Sequence, residues 1–143
     1  MEDKADFEPK IVAFCCKWCS YAAADLAGTS RMKILPNFTI IRTMCSSRID
    51  PEFILNAFVK GADGVVVAGC HPGDCHYING NYKALRRMLL LREMLTQLGI
   101  SKMRLRLEWI SASEGKKFME TMNDFINEMK KLGPSKERFG LWA

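Results

Sequence analysis

Four short apolar runs, separated by stretches with helical patterning, constrain this chain more than any other feature. They cover residues 10–16 (KIVAFCC), 38–45 (FTIIRTMC), 64–70 (GVVVAGC) and 103–110 (MRLRLEWI). Runs of this length, rich in Val, Ile and Phe, read as strands. The third is apolar throughout, as a strand covered on both faces should be. The fourth alternates Leu105, Leu107 and Trp109 with Arg104, Arg106 and Glu108, which predicts a half-exposed edge strand. Alternation of strand and helix predicts a parallel sheet with helices on both faces and right-handed crossovers. The expected fold is therefore a single-domain α/β unit. It has an open four-stranded parallel sheet of order 2-1-3-4, in three layers of flavodoxin- or thioredoxin-like kind.

The helices carry their own punctuation. Asp50-Pro51 places an N-cap before a proline at the first helical position, and Gly61 ends that segment. A long helix is expected over 80–98, with Leu85, Met88, Leu89, Leu91, Met94, Leu95 and Leu98 as its core stripe and Gly99 as its left-handed cap. Ser111 and Glu114 are spaced as a capping box for a last helix, which Gly133-Pro134 stops. The expected division is an N-terminal extension at 1–9, the α/β domain at 10–134 and a tail at 135–143. Phe139, Leu141 and Trp142 suit that tail to docking on a partner or on the domain itself.

At 143 residues the chain fits one domain, and 48% hydrophobic residues suffice for a core. No apolar run approaches the ~18 residues of a membrane span. The start, MEDKADFEPK, lacks the basic-then-apolar pattern of a secretory signal, so the expected location is cytoplasmic. In that reducing compartment structural disulfides are rare. Six cysteines are then anomalous: Cys15, Cys16, Cys19, Cys45, Cys70 and Cys75. One or two are accounted for as small apolar core residues. Three within five residues, with a second close pair, point to metal or redox chemistry. The net charge of +5 is spread out and selects no partner class by itself.

Placed on the expected fold, Cys15 and Cys16 end the first strand, Cys45 the second and Cys70 the third. Cys19 and Cys75 fall in the following loops. In a parallel sheet the carboxyl ends of the strands share one edge, and the loops above it form the binding crevice. All six thiols should therefore converge on one rim. Cys16-Lys17-Trp18-Cys19 is a CxxC at a helix start, where N–H groups favour thiolate. Cys70-His71-Pro72-Gly73-Asp74-Cys75 is a CxxxxC bent by Pro and Gly. This geometry puts Cys16, Cys19, Cys70 and Cys75 first as metal ligands, Cys15 and Cys45 next, and His71 and His76 behind them. Four thiolates suit an iron–sulfur cluster or structural zinc, and a CxxC also suits a thiol–disulfide oxidoreductase. A domain with its own core does not need zinc to fold, and disulfide exchange needs two thiols rather than six. The cluster is the preferred reading. The alternatives are the oxidoreductase and a zinc-stabilised adaptor. Gly69 and Gly73 should let N–H groups approach the sulfurs, and Lys17, Arg42 and Arg48 flank them. A nucleic-acid binder would need a basic, aromatic-bearing stripe. The segment with Lys83, Arg86, Arg87 and Arg92 is the one candidate, and neither nucleic acid nor membrane is an expected partner.

With those residues in place, the chain resembles the iron–sulfur (delta) subunit of methyl-viologen-reducing, F420-non-reducing [NiFe] hydrogenases of methanogenic archaea. The match lies in FCCKWCSYAAADLAGTSR at 14–31, IRTMCSSRIDPEFILNAFVKGADGVVVAGCHPGDCHY at 41–77, NYKALRRM at 81–88 and WISASEGKKF at 109–118, and it includes every cysteine. The resemblance implies one [2Fe-2S] cluster and an electron-transfer role without independent catalysis. It also implies partners. On one side stand the hydrogenase small and large subunits, or a formate dehydrogenase. On the other stands the flavin-bearing A subunit of heterodisulfide reductase, where the flavin bifurcates electrons in methanogenesis.

Overall fold

A computed structural model describes residues 6–135. Its sheet contains β1 (Ile11–Cys16), β2 (Phe38–Thr43), β3 (Gly64–Gly69) and β4 (Leu105–Trp109) in the order β2-β1-β3-β4. Every pairing is parallel, as the alternation of strand and helix predicts. The helices are α1 (Ser20–Thr29), α2 (Pro51–Val59), α3 (Gly80–Gln97) and α4 (Gly115–Leu132). Together they form a single-domain, three-layer α/β fold of flavodoxin-like kind. Ile11 lies level with Phe38 and Gly64, and Val65 with Leu105, so the strands also finish level.

Two cores follow from the two-residue period of the strands. Ile11, Ala13 and Cys15 of β1, with Val66 and Ala68 of β3, face α1 and α4. Phe14, Val65, Val67 and Leu105 face α2 and α3. Helix α4 lies directly on the β3 backbone, where a Cβ on Gly64 would come within 2.8 Å of the Phe125 ring. The caps behave as the residue types dictate. Asp50 Oδ1 accepts from the Glu52 N–H at 2.9 Å with Pro51 at the first helical position. Gly61, Gly99 and Gly133 have φ of +103°, +85° and +81°.

Four local expectations change. Arg104, expected on the exposed phase of the fourth strand, is buried in a 3₁₀ turn at Lys102–Arg104 before β4. β2 ends at Thr43, and Cys45 lies beyond it, before a 3₁₀ turn at Ser46–Arg48. Only half of the capping box forms: Glu114 accepts from the Ser111 N–H at 2.9 Å, and α4 begins after it at Gly115. In α3 and at its cap, Met88, Leu91 and Leu95 are buried, but Leu89, Met94 and the capping Leu98 are exposed together with Leu90. That helix flanks edge strand β4, so its outer side meets no further layer. Among the described residues no helix is long and apolar enough to cross a membrane. Phe139, Leu141 and Trp142 lie outside the described residues, as does most of the N-terminal extension.

Candidate metal centre

The level strand ends bring five of the six thiols to one rim in two groups. The sulfurs of Cys16, Cys19 and Cys70 all lie within 4.8 Å of one another. Cys16 Sγ is 3.9 Å from Cys70 Sγ, although 54 residues separate them. Cys45 Sγ is 3.8 Å from Cys75 Sγ. All five side chains are buried. Cys15 turns the other way, as the strand pleat requires. It packs with Ile11, Ala13 and Ala23 in the α1/α4 core.

Each sulfur is positioned by a short, polar-anchored segment. Cys16 ends β1, and its N–H donates to the buried Ser20 Oγ at 2.8 Å; that hydroxyl donates onward to the Ala68 carbonyl at 2.8 Å. β1, β3 and the start of α1 are thereby tied together beneath the CxxC. Cys19 stands at the N-cap of α1, and its carbonyl accepts from the Ala23 N–H at 2.9 Å. The buried Asn81 donates to the carbonyls of Cys70 at 3.1 Å and His71 at 2.9 Å, which clamps the loop after β3 to the start of α3. Thr43 Oγ1 donates to the Cys45 carbonyl at 3.1 Å.

Helix α3 begins against the Cys45–Cys75 pair. A Cβ on Gly80 would sit 2.3 Å from Cys45 Sγ and 3.1 Å from Cys75 Sγ, so a side chain there would collide with the sulfurs. Sequence reasoning points to Gly69 and Gly73 for close approach to sulfur. Instead, Gly69 makes room for Ser46 and Trp109, while Gly73 is a turn residue with φ +91° and open space around it. The same reasoning misses Gly80, Asn81 and Ser20. The one available signal is a glycine opening a helix five residues after a cysteine.

The electrostatics divide the thiols. A hydrogen bond from Cys19, outweighing burial, pulls the Cys16 thiol down to about 6, and its reciprocal pushes Cys19 up. Burial pushes Cys70 up to about 11 and Cys15 up to about 12. Burial also raises Cys75, but the N–H groups of Tyr77, Asn81 and Gly80, with the Cys45 thiol, outweigh it and leave that thiol below its ordinary value. Gathering ionised sulfurs in so dry a place is costly unless a cation neutralises them. The donor set therefore fits a thiophilic metal group. A cleft of about 280 Å³ over Cys19 and Cys70, lined also by Trp18, His71, Asp74 and His76, opens toward solvent.

The flanking residues make a roof. Trp18 stacks on His76 at 3.9 Å and 12°, and its Nε1–H donates to the Tyr77 hydroxyl at 3.3 Å. His71 hydrogen-bonds Glu114, which ties the loop to the start of α4. The Ser111 N–H and then His71 hold the Glu114 carboxyl at about 2. The three cations flanking the cysteines each cover a ring: Lys17 lies over Trp18, Arg42 over Tyr21 and Arg48 over Phe53.

Comparison with known proteins agrees with this site. The family model described as methyl-viologen-reducing hydrogenase, delta subunit, matches residues 11–133, which include every cysteine. The chain is 59% identical over 129 residues to the vhc iron-sulfur D subunit of the F420-non-reducing hydrogenase of Methanococcus voltae, covering 90% of each chain. It is 56% identical over 131 residues to the iron-sulfur D subunit of the F420-non-reducing hydrogenase of Archaeoglobus profundus, covering 92% of this chain and 96% of that one. A third relative is the A subunit of the ferredoxin/F(420)H(2)-dependent CoB-CoM heterodisulfide reductase of Methanosarcina acetivorans. It is 52% identical over 92% of this chain, but the match occupies only 16% of that longer protein. With its thiol-lined rim on a parallel sheet and these likenesses along nearly all its length, the chain belongs to the family of the methyl-viologen-reducing hydrogenase delta subunit.

Proposed function

We propose that this chain relays electrons from a hydrogenase, or a formate dehydrogenase, to the flavin-bearing A subunit of heterodisulfide reductase. The relay runs through a [2Fe-2S] cluster held by Cys16, Cys19, Cys70 and Cys75. The observation that carries this reading is the gathering of buried thiols from separate chain segments onto one sheet edge, three of them within 4.8 Å. The partner reading draws support from the Methanosarcina acetivorans relative, in which a stretch like this chain forms 16% of a heterodisulfide reductase protein. A domain found inside one protein of a complex and alone elsewhere is suited to the same neighbour in both settings.

When bound, such a cluster supplies one-electron transfer at a potential set by its surroundings. The chain's residues do the rest. Cys16 and Cys70 are pre-set at 3.9 Å at the ends of adjacent strands, and the CxxC turn brings Cys19 to them. Cys75 is favoured over Cys45 as the fourth ligand because the backbone N–H groups of Tyr77, Asn81 and Gly80 favour its thiolate. Cys45, 3.8 Å away, is the nearest substitute. Trp18 and His76 limit water over the sulfurs. His71, hydrogen-bonded to Glu114, steadies the loop without entering the ligand set.

Anaerobically purified protein should be coloured, with iron and acid-labile sulfide in equal amounts and a spectrum bleached by dithionite. Colourless protein with stoichiometric zinc would replace the relay with the adaptor. Metal-free protein that reduces a disulfide would replace it with the exchanger.

A further inference from the structure

Ile78 is held in a way that its own fold does not explain. Its backbone φ is +73°, a left-handed conformation that is a true outlier for a β-branched residue. Its side chain is 83% exposed, so burial does not compensate. The turn is nonetheless fixed: the Ile78 N–H donates to the Cys75 carbonyl and the Asn79 N–H to the Tyr77 carbonyl, both at 2.9 Å. An aliphatic side chain is thus presented to water from the loop that carries Cys75.

The surroundings describe a surface rather than one odd residue. Trp18, Tyr77 and Met44 are also exposed on the loops that follow Cys16 or bear Cys19, Cys75 and Cys45. Trp18, His76 and Tyr77 are locked together by stacking and a hydrogen bond. The same loops and the first turns of α3 bear Lys17, Arg48, Lys83 and Arg87, against Asp50 and Asp74 as their acidic residues. Arg87 is drawn toward the loop after β2, where it donates to the Ser47 carbonyl. The sulfurs are buried beneath these loops, so electrons entering or leaving cross this face.

We infer that this face is where the chain docks on the A subunit of heterodisulfide reductase. Ile78 is the anchor, seated in an apolar pocket whose rim is acidic. The inference rests on the partner reading above and adds the surface and the chemistry that recognises it. The occupant follows from the relative in which a like domain is part of a heterodisulfide reductase chain. The basic rim sets the sign of the charge it meets. Backbone strain of this kind is kept at functional sites, and the exposed side chain gains burial when a partner covers it.

The test pairs binding with the stability of the free chain. Cluster-loaded wild type, Ile78→Asp, Ile78→Gly and a control, Leu90→Asp on the outer side of α3, are titrated against the purified heterodisulfide reductase A subunit from the same organism. Ile78→Asp and Ile78→Gly should each weaken binding by about tenfold or more. Ile78→Gly should at the same time raise the melting temperature of the free chain, since glycine accepts a left-handed φ. Leu90→Asp should bind like wild type, and all four should keep the same visible spectrum. If wild type does not bind that partner, the partner reading and this surface fall together. If wild type binds and the Ile78 variants bind equally well, or if Leu90→Asp is the variant that loses binding, the surface falls alone.

Discussion

The two edges of the sheet are built to opposite purposes. At the amino edge, polar groups are satisfied by one another. The Asp63 carboxylate accepts from the Lys10 N–H at 2.9 Å and the Ser135 N–H at 3.1 Å. The buried Arg104 guanidinium donates to the Asp63 carbonyl at 2.9 Å and the Gly133 carbonyl at 3.0 Å. Four segments of chain are tied there, and the exit from α4 is closed. At the carboxyl edge, buried thiols crowd together, an isoleucine is strained and exposed, and aromatic rings roof a cleft. The amino edge closes its hydrogen bonds within the chain. The carboxyl edge keeps groups that are left unsatisfied within the chain, which is where the proposed cluster and partner would act.

The sharpest way to break this contrast is to disturb one edge and read the other. Arg104→Ala leaves the Asp63 and Gly133 carbonyls without their buried donor and should cost about 3 kcal/mol of stability. Chemical denaturation measures that loss. Iron content at low temperature should not change, and loss of metal in a still-folded variant would show that the edges are coupled. Gly80→Ala acts at the other edge. Its methyl group would meet Cys45 Sγ at 2.3 Å, so the start of α3 must back away from the sulfurs. The expected cost is about 1–3 kcal/mol by overpacking, with a lower iron content and a more negative reduction potential as N–H groups withdraw. Redox titration followed at visible wavelengths detects the shift, and an unchanged potential would remove α3 from the tuning of the site. The smallest effect separates two neighbouring cysteines. Cys15→Ser should keep full visible absorbance and lose about 1–2 kcal/mol, because a hydroxyl enters an apolar core. Bleaching in this variant would place Cys15 among the ligands.

Much of the site was legible because strand ends and loop motifs are local. The CxxC at Cys16–Cys19 announces converging sulfurs, whereas the CxxxxC sends one sulfur to each group, Cys70 beside Cys16 and Cys75 beside Cys45. The alternation of strand and helix places both on one edge. The pairing of Cys45 with Cys75 was not legible, because it depends on where α3 begins relative to the 3₁₀ turn after β2. The same holds for Gly80, which crowds the sulfur of a residue as distant in sequence as Cys45. The apolar residues of α3 misled for a related reason. Leu89, Met94 and Leu98 have helical spacing, but spacing cannot tell a buried face from one that flanks an edge strand.

By itself the sequence determined the strands, their parallel order, the helix caps at Asp50, Gly99 and Gly133, and the type of chemistry, because each of these rests on period, residue type or short-range geometry. The tertiary structure decided which thiols face one another, that Cys15 belongs to the core while Cys16 reaches the rim, and that Ile78 stands strained on the loop above the sulfurs. Those outcomes are set by register between strands and by helix starts meeting distant loops, and such distances are not encoded in any one segment.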